Sequence, residues 1–225
     1  MALAFCRKQK TESTMPEEQA HGFIWERSVL EGVYGITGPQ VGGYTRTHDV
    51  SSEENTLDGV SVSIKTSGSS SVDMADARRV FEACSSGKPY YMLVIQYIQE
   101  GDEKVLRNVS YIDLTSSHQE LFGDLALEDI SAMHEHLKAI PPGRASLDTR
   151  GEYKLRAAEL RRKTGAISLR PKVDSKNQRR LQCSFSNIET FCVSNPQRLI
   201  SRSTEGVFRG FQLPMRIPSP RRFLA

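Results

Sequence analysis

The stretch that decides the fold is Leu57-Asp58-Gly59-Val60-Ser61-Val62-Ser63-Ile64-Lys65-Thr66. Apolar residues at positions 60, 62 and 64 alternate with polar residues at 61, 63 and 65, which is the period of a β-strand with one face in the core. Ser63 and Lys65 therefore share the polar face. Asp58 lies five residues before Ser63, so an unbroken strand would carry it on the opposite face. We expect Gly59 to supply a bulge that returns the carboxylate to the lysine side.

A lysine fixed on a rigid strand near an acidic side chain suits the hydrolysis of a phosphodiester bond. A divalent metal held by carboxylates polarises the phosphate and acidifies an attacking water, while the lysine orients that water and stabilises the developing charge. Asp58, Ser63 and Lys65 are therefore candidate catalytic residues. The ordinary alternative is that Asp58-Gly59 is a plain turn and that Lys65 is a solvent-facing residue at a strand end.

The segment resembles the PD-(D/E)XK signature of restriction-endonuclease-like nucleases, in which an acid, a short gap and an apolar strand end in (D/E)-x-K. His21-Gly22-Phe23-Ile24-Trp25-Glu26 is similar to the Gly-x-x-x-Glu first helix of such enzymes. The resemblance covers roughly residues 20–115. It implies a catalytic set of Glu26, Asp58, Ser63 and Lys65, with Asp58 and Glu26 as ligands of Mg²⁺, or of Mn²⁺ as a substitute, and double-stranded DNA as the substrate.

One position departs from the family pattern, because Ser63 stands where the family usually has Asp or Glu. A hydroxyl is a weak, neutral ligand, so the site loses one negative charge. Mg²⁺ prefers hard oxygen ligands and keeps several waters, so Asp58, Glu26 and a backbone carbonyl near Val62 or Ile64 could still hold one ion. Alternatively, a neighbouring element supplies the missing carboxylate, the candidates being Glu53, Glu54, Asp73 and Asp76.

The order of the remaining elements predicts an α/β (α+β) fold, with a restriction-endonuclease-like core, a mixed central sheet flanked by helices, and a basic C-terminal extension. Helices are predicted from Pro16 to about Glu31, over 73–84, 127–140 and 151–163, and strands over 60–65, 90–98, 105–114, 166–169 and 181–185. We divide the chain into a disordered N-terminus (1–16), a nuclease-like core (17–140), a basic DNA-recognition region (141–197) and an Arg/Pro/Ser-rich tail (198–225) that is extended or partly ordered.

The charge distribution favours an anionic partner for the C-terminal half. Residues 141–182 hold twelve Lys and Arg and four Asp and Glu, a net charge of +8, although the whole chain carries only +3. Nucleic acid is the usual partner of such a basic region. A solvated basic face is the alternative.

Within this region, cationic and amide side chains alternate. Arg and Lys read guanine edges and Asn and Gln read adenine edges in the major groove, and all four also bind phosphate. The predicted DNA-binding residues are Arg170, Lys172, Lys176, Asn177, Gln178, Arg179, Arg180 and Gln182. Ser67, Ser69 and Ser70 are added because a serine-rich turn can donate hydrogen bonds to a phosphate. The alternatives are an exposed basic hairpin and a flexible turn.

The sequence gives little support for a membrane-spanning segment or for a metal site built on cysteines or histidines. The chain has 225 residues, 38% of them apolar, without the run of about 20 apolar residues that spans a bilayer. The four cysteines form no CxxC pair, which disfavours structural zinc, and His134-Glu135-His136 lacks the HExxH spacing. We expect an intracellular protein, cytoplasmic, or nuclear or in a viral factory if it comes from a eukaryotic virus.

The main hypothesis is a Mg²⁺-dependent, type II restriction-like endonuclease that cuts double-stranded DNA. A homodimer is the oligomeric state that this hypothesis leaves open. Two alternatives remain open. One is a nuclease-fold protein that binds DNA but cuts it weakly or not at all, because Ser63 replaces the carboxylate. The other is a structure-specific nuclease such as a junction resolvase.

Overall fold

The computed structural model describes residues 17–38, 48–143, 145–174 and 178–219, and of residues 17–23 it describes the backbone alone. The expectation for residues 1–16 lies outside these ranges. The helices are α1 Glu17–Gly32, α2 Ala77–Ser85, α3 His118–Phe122, α4 Leu127–Lys138, α5 Leu147–Arg161 and α6 Ile188–Ser194. The strands are β1 Ser61–Ser67, β2 Val72–Asp76, β3 Tyr90–Glu100, β4 Glu103–Asp113, β5 Ile167–Val173, β6 Arg179–Phe185, β7 Leu199–Ser203, β8 Val207–Phe208, β9 Phe211–Gln212 and β10 Arg216–Pro218.

A mixed central sheet organises the chain and confirms the predicted α+β class. Its strand order is β1-β3-β4-β10, and β7 also pairs with β4. β1 and β3 run parallel, with Ser63 opposite Met92 and Lys65 opposite Val94. β3 and β4 form an antiparallel hairpin around Gly101. β1 therefore lies at the edge of this sheet, with Ser61 and Lys65 half-buried and Ser63 buried at 2% exposure.

The central strand β3 is buried on both faces, as its run of β-branched and aromatic residues predicts. Met92 and Val94 belong to one apolar core, with α2, α4 and a second sheet. Leu93 and Ile95 belong to the other core, which α1 covers. The helix α1 is anchored there by Trp25, which is fully buried and donates from Nε1 to the Pro214 carbonyl at 2.7 Å.

A second, three-stranded sheet has the order β2-β6-β5 and joins the basic region to the core. We predicted a helix from Asp73, but residues 72–76 form β2. The Asp73 carboxylate accepts a hydrogen bond from the Ala75 backbone N–H at 2.8 Å, at a bulge in the β2–β6 pairing. The helix begins only at Ala77, because the Asp76 side chain caps it through the N–H groups of Arg78 and Arg79.

The described part of the C-terminal segment, residues 198–219, is built into the fold, where an extended or partly ordered tail was expected. β7 and β10 both pair with β4 in the central sheet, and α6 precedes them where no helix was predicted. Cys84, Cys183 and Cys192 are buried free thiols, as expected of packed cysteines. None of the helices in the described ranges combines the length and the apolar character needed to cross a bilayer.

Candidate active site

A short antiparallel bridge brings Asp49 to the side of β1. Val50 pairs with Val62: the Val62 N–H donates to the Val50 carbonyl at 2.8 Å, and the N–H groups of Asp49 and Val50 both donate to the Val62 carbonyl at 2.9 Å. Val50 and Val62 are fully buried, so this pairing is fixed by the core. The chain between them closes as a turn, and the carboxylate of Asp49 is carried to the polar residues of β1.

The Asp49 carboxylate contacts the strand residues that the sequence analysis singled out. Its Oδ2 accepts hydrogen bonds from the Ile64 backbone N–H at 2.5 Å, from the Lys65 Nζ at 3.1 Å and from the Ser63 Oγ at 3.4 Å. The Lys65 and Asp49 side chains keep 23% and 22% of their surface exposed. Charge-assisted bonds of this kind hold a lysine in one orientation more firmly than exposed pairs do.

Glu26 is linked to this group electrostatically. It lies on α1 next to Trp25, which with Val29 is buried in the core that includes Val62 and Ile64. Burial, and then the charge of Asp49, raise the pKa of Glu26 to about 7, while Lys65 acts in the opposite direction. Glu26 therefore lies within electrostatic reach of Asp49 and Lys65, while Ser63 and Lys65 contact Asp49 directly.

Asp58 lies in a different cluster, and its expected place beside Lys65 is corrected. It forms an ion pair with Arg209 and accepts a hydrogen bond from Asn55 Nδ2 at 2.6 Å. Gly59, at a φ of 66°, closes a turn through its N–H to the Asn55 carbonyl at 3.0 Å. The glycine therefore ends a turn instead of bulging a strand, and the turn directs Asp58 to Arg209.

One signal in the sequence points to Asp49. An acid directly precedes an apolar residue in Asp49-Val50, fourteen residues before Ser63. The glycine, serine and acid content of residues 51–59 is typical of a hairpin connection. Interpreted as a hairpin, this region places Asp49 opposite the strand that carries Ser63 and Lys65.

The other acids considered as substitutes for a carboxylate at Ser63 have local structural partners. The Glu54 carboxylate accepts from the Ser51 N–H at 2.9 Å, and Glu53 accepts from the Ser52 hydroxyl at 3.0 Å. Asp73 and Asp76 shape the β2 bulge and cap α2. Across the described ranges, no group of three or more His, Cys, Asp and Glu side chains is arranged to hold a metal. Among the described residues, the hard donors identified for the site are the carboxylates of Glu26 and Asp49 and the Ser63 hydroxyl.

The β5–β6 hairpin places four of the predicted DNA-binding residues on one face. Arg170 pairs with Gln182 and Lys172 pairs with Arg180, and directly opposite residues of an antiparallel pair lie on the same face. The alternate positions, which include the fully buried Leu169 and Leu181, pack into the core. The hairpin therefore presents a cationic and amide-bearing surface, while Lys176 and Asn177 at its tip lie outside the described residues.

Arg179 has a structural role and is removed from the set of DNA-binding residues. Opposite Val173 in the ladder, it lies on the core side of the hairpin. Its guanidinium donates to five backbone carbonyls at 2.8–3.3 Å, those of Ile140, Pro141, Gly143, Asp174 and Gln178. Gln178 is itself half-buried and bound through its N–H to Asp174 Oδ1 at 3.1 Å. These contacts tie the hairpin to the end of α4.

The serine turn after β1 is shaped by its own hydroxyls. Ser67 Oγ lies within hydrogen-bonding distance of the carbonyls of Ser69 and Ser71, at 3.1 and 2.7 Å, and Ser69 Oγ lies 3.1 Å from the Ser71 carbonyl. The Ser70 side chain is exposed, and its carbonyl accepts from the Ile188 N–H at 2.8 Å. The hydroxyl hydrogens of Ser67 and Ser69 are thus used inside the turn, whose position two residues beyond Lys65 keeps it beside the site.

Comparison with known proteins gives no family for the chain: no protein-family model, no curated protein sequence and no solved structure matches it significantly.

Proposed function

We propose that this chain is a Mg²⁺-dependent endonuclease that hydrolyses phosphodiester bonds of double-stranded DNA at a site formed by Glu26, Asp49, Ser63 and Lys65. The observation that carries the proposal is the convergence of three chain segments on one ammonium group. Lys65 projects from β1, Asp49 reaches its Nζ at 3.1 Å from a bridged strand, and Glu26 lies beside them on α1. The arrangement supports the resemblance to PD-(D/E)XK nucleases, with Asp49 in the place that we first gave to Asp58.

The donor set fits a divalent cation. Glu26 and Asp49 supply two carboxylates, and Mg²⁺ is commonly bound by one or two carboxylates together with substrate phosphates. Burial, and after it the charge of Asp49, raise the pKa of Glu26, and a nearby cation would favour the ionised carboxylate against both. Glu26 and Asp49 would hold Mg²⁺ or Mn²⁺, with the Ser63 hydroxyl as a neutral neighbour. When bound, such an ion polarises the phosphate and lowers the pKa of water.

The residues of the chain supply positioning and charge. Lys65 presents a fixed positive charge that can orient a nucleophilic water and stabilise negative charge on the phosphate oxygens. Asp49 holds that ammonium group through Oδ2. The Ile64 N–H, at 2.5 Å from the same oxygen, fixes the carboxylate to the strand. Lys65 can therefore act without a large rearrangement of its side chain.

The basic hairpin supports duplex DNA as the substrate. Arg170, Lys172, Arg180 and Gln182 share one face, and a two-stranded ribbon fits the major groove of B-form DNA. The net charge of +8 over residues 141–182 favours the phosphate backbone. A protein acting on such a substrate works in a compartment that contains DNA, and two copies would be needed for symmetric cutting of both strands.

The second candidate is a DNA-binding protein that does not cut. The neutral Ser63 in the place of a third acid favours it, because the site offers less negative charge to a metal. A plasmid assay with and without Mg²⁺ separates the two candidates. Mg²⁺-dependent conversion of supercoiled plasmid into nicked or linear DNA supports the endonuclease, whereas tight binding without conversion supports the binding protein. A four-way junction in the same assay tests the structure-specific alternative.

A further inference from the structure

A pocket of about 350 Å³ lies beside the serine turn, at the junction of the two sheets. Three parts of the chain line it: the end of β1 with its turn, Tyr97 of β3, and the polar side of the β2-β6-β5 sheet. The polar residues that matter here are Ser69, Ser71, Asp73, Arg170, Gln182 and Ser184. These positions are far apart in sequence, so the pocket is a product of the fold.

Among the described residues, one buried polar group of this pocket, the Ser184 hydroxyl, lacks a protein partner, and the two charged groups that line the pocket are not ion-paired. Ser184 is 5% exposed, and its Oγ is buried without a hydrogen-bond partner. Arg170 and Asp73 both line the pocket, yet in the part of the chain that the structure describes they form no ion pair with each other or with another side chain. A buried hydroxyl without a partner is costly unless another molecule satisfies it. The pocket is therefore prepared for a polar ligand with both donors and acceptors.

The shape and position of the pocket limit what that ligand can be. Its volume is near the lower end of the range of about 300–1,000 Å³ for sites that enclose small ligands. A base pair within a duplex is read by protein elements that protrude into a groove. A concave pocket of this size instead encloses one small ligand. Ser67 lies two residues after Lys65, about 7 Å along the same face of the strand, which is about two base steps of a duplex.

We propose that this pocket binds one unpaired nucleotide of the DNA substrate, held outside the helix about two base steps from the phosphate that faces Lys65. This inference rests on the proposed function and names the form of DNA that the site prefers. Arg170 would donate to base acceptors or phosphate, Asp73 would accept from an amino group of the base, and Gln182 can do both. Taking a base out of the stack costs least where it is already unpaired or mismatched. The chain should therefore favour DNA with a bulged or mismatched nucleotide.

The test fills the pocket from its exposed rim and compares two serine-to-tryptophan substitutions. Ser69 lines the pocket, whereas Ser85 at the end of α2 does not, and both are exposed, so Ser69→Trp should block it while Ser85→Trp serves as the control. Binding is measured by fluorescence anisotropy, in Ca²⁺ to suppress cutting, for a paired duplex and for the same duplex with one unpaired central nucleotide. We expect the wild type and Ser85→Trp to bind the bulged duplex at least about tenfold more tightly, and Ser69→Trp to lose this preference.

A second pair of variants keeps the test independent of the tryptophan substitutions. Arg170→Gln should reduce the preference for the bulged duplex, while Lys172→Gln, on the same hairpin face but outside the pocket, should weaken binding to both duplexes equally. Equal binding of both duplexes by the wild type, or a preference that survives Ser69→Trp and Arg170→Gln, would overturn the inference.

The outcomes also separate this inference from the proposed function. A bulge preference without any cleavage in Mg²⁺ would refute the endonuclease and keep the pocket. Mg²⁺-dependent cleavage of paired and bulged DNA at equal rates would refute the pocket and keep the endonuclease.

Discussion

The side chains of Lys65 and Asp49, sixteen residues apart in the chain, form an ion pair in which Nζ lies 3.1 Å from Oδ2. The same oxygen accepts the Ile64 backbone N–H, so the carboxylate is held to the strand that carries the lysine. Each side chain keeps about a fifth of its surface exposed, which leaves the pair open to a substrate. Glu26 adds a second acid to this pair from α1.

Asp58 should contribute stability rather than catalysis. Asp58→Asn removes the charge that faces the partly buried Arg209, and leaving such a partner unsatisfied costs about 1–3 kcal/mol. We expect urea denaturation to show this loss of unfolding free energy, while Mg²⁺-dependent cleavage at permissive temperature stays near the wild-type rate. Arg209→Gln should give the same loss of stability. Abolished cleavage with unchanged stability would return Asp58 to the active site.

Arg179 and Arg170 of the basic hairpin should behave differently. Arg179→Gln breaks charge-assisted bonds to five backbone carbonyls, so we expect a loss of at least about 1.5–3 kcal/mol in unfolding free energy. Arg170→Gln should leave stability unchanged, because its side chain is exposed, and should weaken DNA binding. Thermal denaturation of both variants checks the expected stabilities, and DNA-binding measurements on both check the expected affinities. An Arg179 variant as stable as the wild type would contradict the structural role.

A third carboxylate at the site should strengthen metal binding. Ser63→Asp places an acid next to Asp49, since the Ser63 Oγ lies 3.4 Å from Asp49 Oδ2. Metal affinity rises with the charge of the ligand set, and we expect a gain on the order of tenfold in Mn²⁺ affinity by calorimetry. Ser61→Asp adds the same charge earlier on β1 and is the matched control. Equal Mn²⁺ affinity in the two variants would show that Ser63 does not face the metal.

The raised pKa of Glu26 predicts how the metal-free protein responds to pH. Burial and Asp49 raise the pKa to about 7 from 4.5, so the folded state keeps a proton that the unfolded state releases. The unfolding free energy should therefore fall as pH rises from about 4.5 to about 7, and level off above. Urea denaturation in a chelator should show this slope in the wild type and in Glu31→Gln, an exposed site on the same helix. Glu26→Gln should lack it, and parallel profiles would contradict the assignment.

The alternating and β-branched patterns predicted most of the fold. β1, β3, β4 and α4 lie close to their expected positions, because each carries a clear apolar period that the core requires. The error at residues 73–76 arose where the Asp73 and Asp76 side chains bond the backbone and override the helical pattern. The tail was misjudged because β7 and β10 are short, and their pairing with β4 depends on contacts across about a hundred residues.

The candidate site could be predicted in part. Ser63 and Lys65 followed from the strand pattern and Glu26 from the resemblance of its helix to nuclease first helices, whereas the choice of Asp58 over Asp49 depended on the path of a loop. Local spacing favoured Asp58, but the Val50–Val62 bridge brings the more distant acid to Lys65. The role of Arg179 was hidden for a similar reason, since its partners at residues 140–143 are adjacent only after folding.

Cleavage of plasmid DNA by Lys65→Ala and Asp49→Asn tests the central claim most directly, with DNA affinity measured in parallel in Ca²⁺. We expect the purified wild type to nick or linearise supercoiled plasmid in Mg²⁺ and not in a chelator. Both variants should cut at rates lower by at least about 10²–10³-fold while they bind DNA nearly as well as the wild type. Cleavage by Lys65→Ala at a rate close to that of the wild type would contradict the assignment of this site.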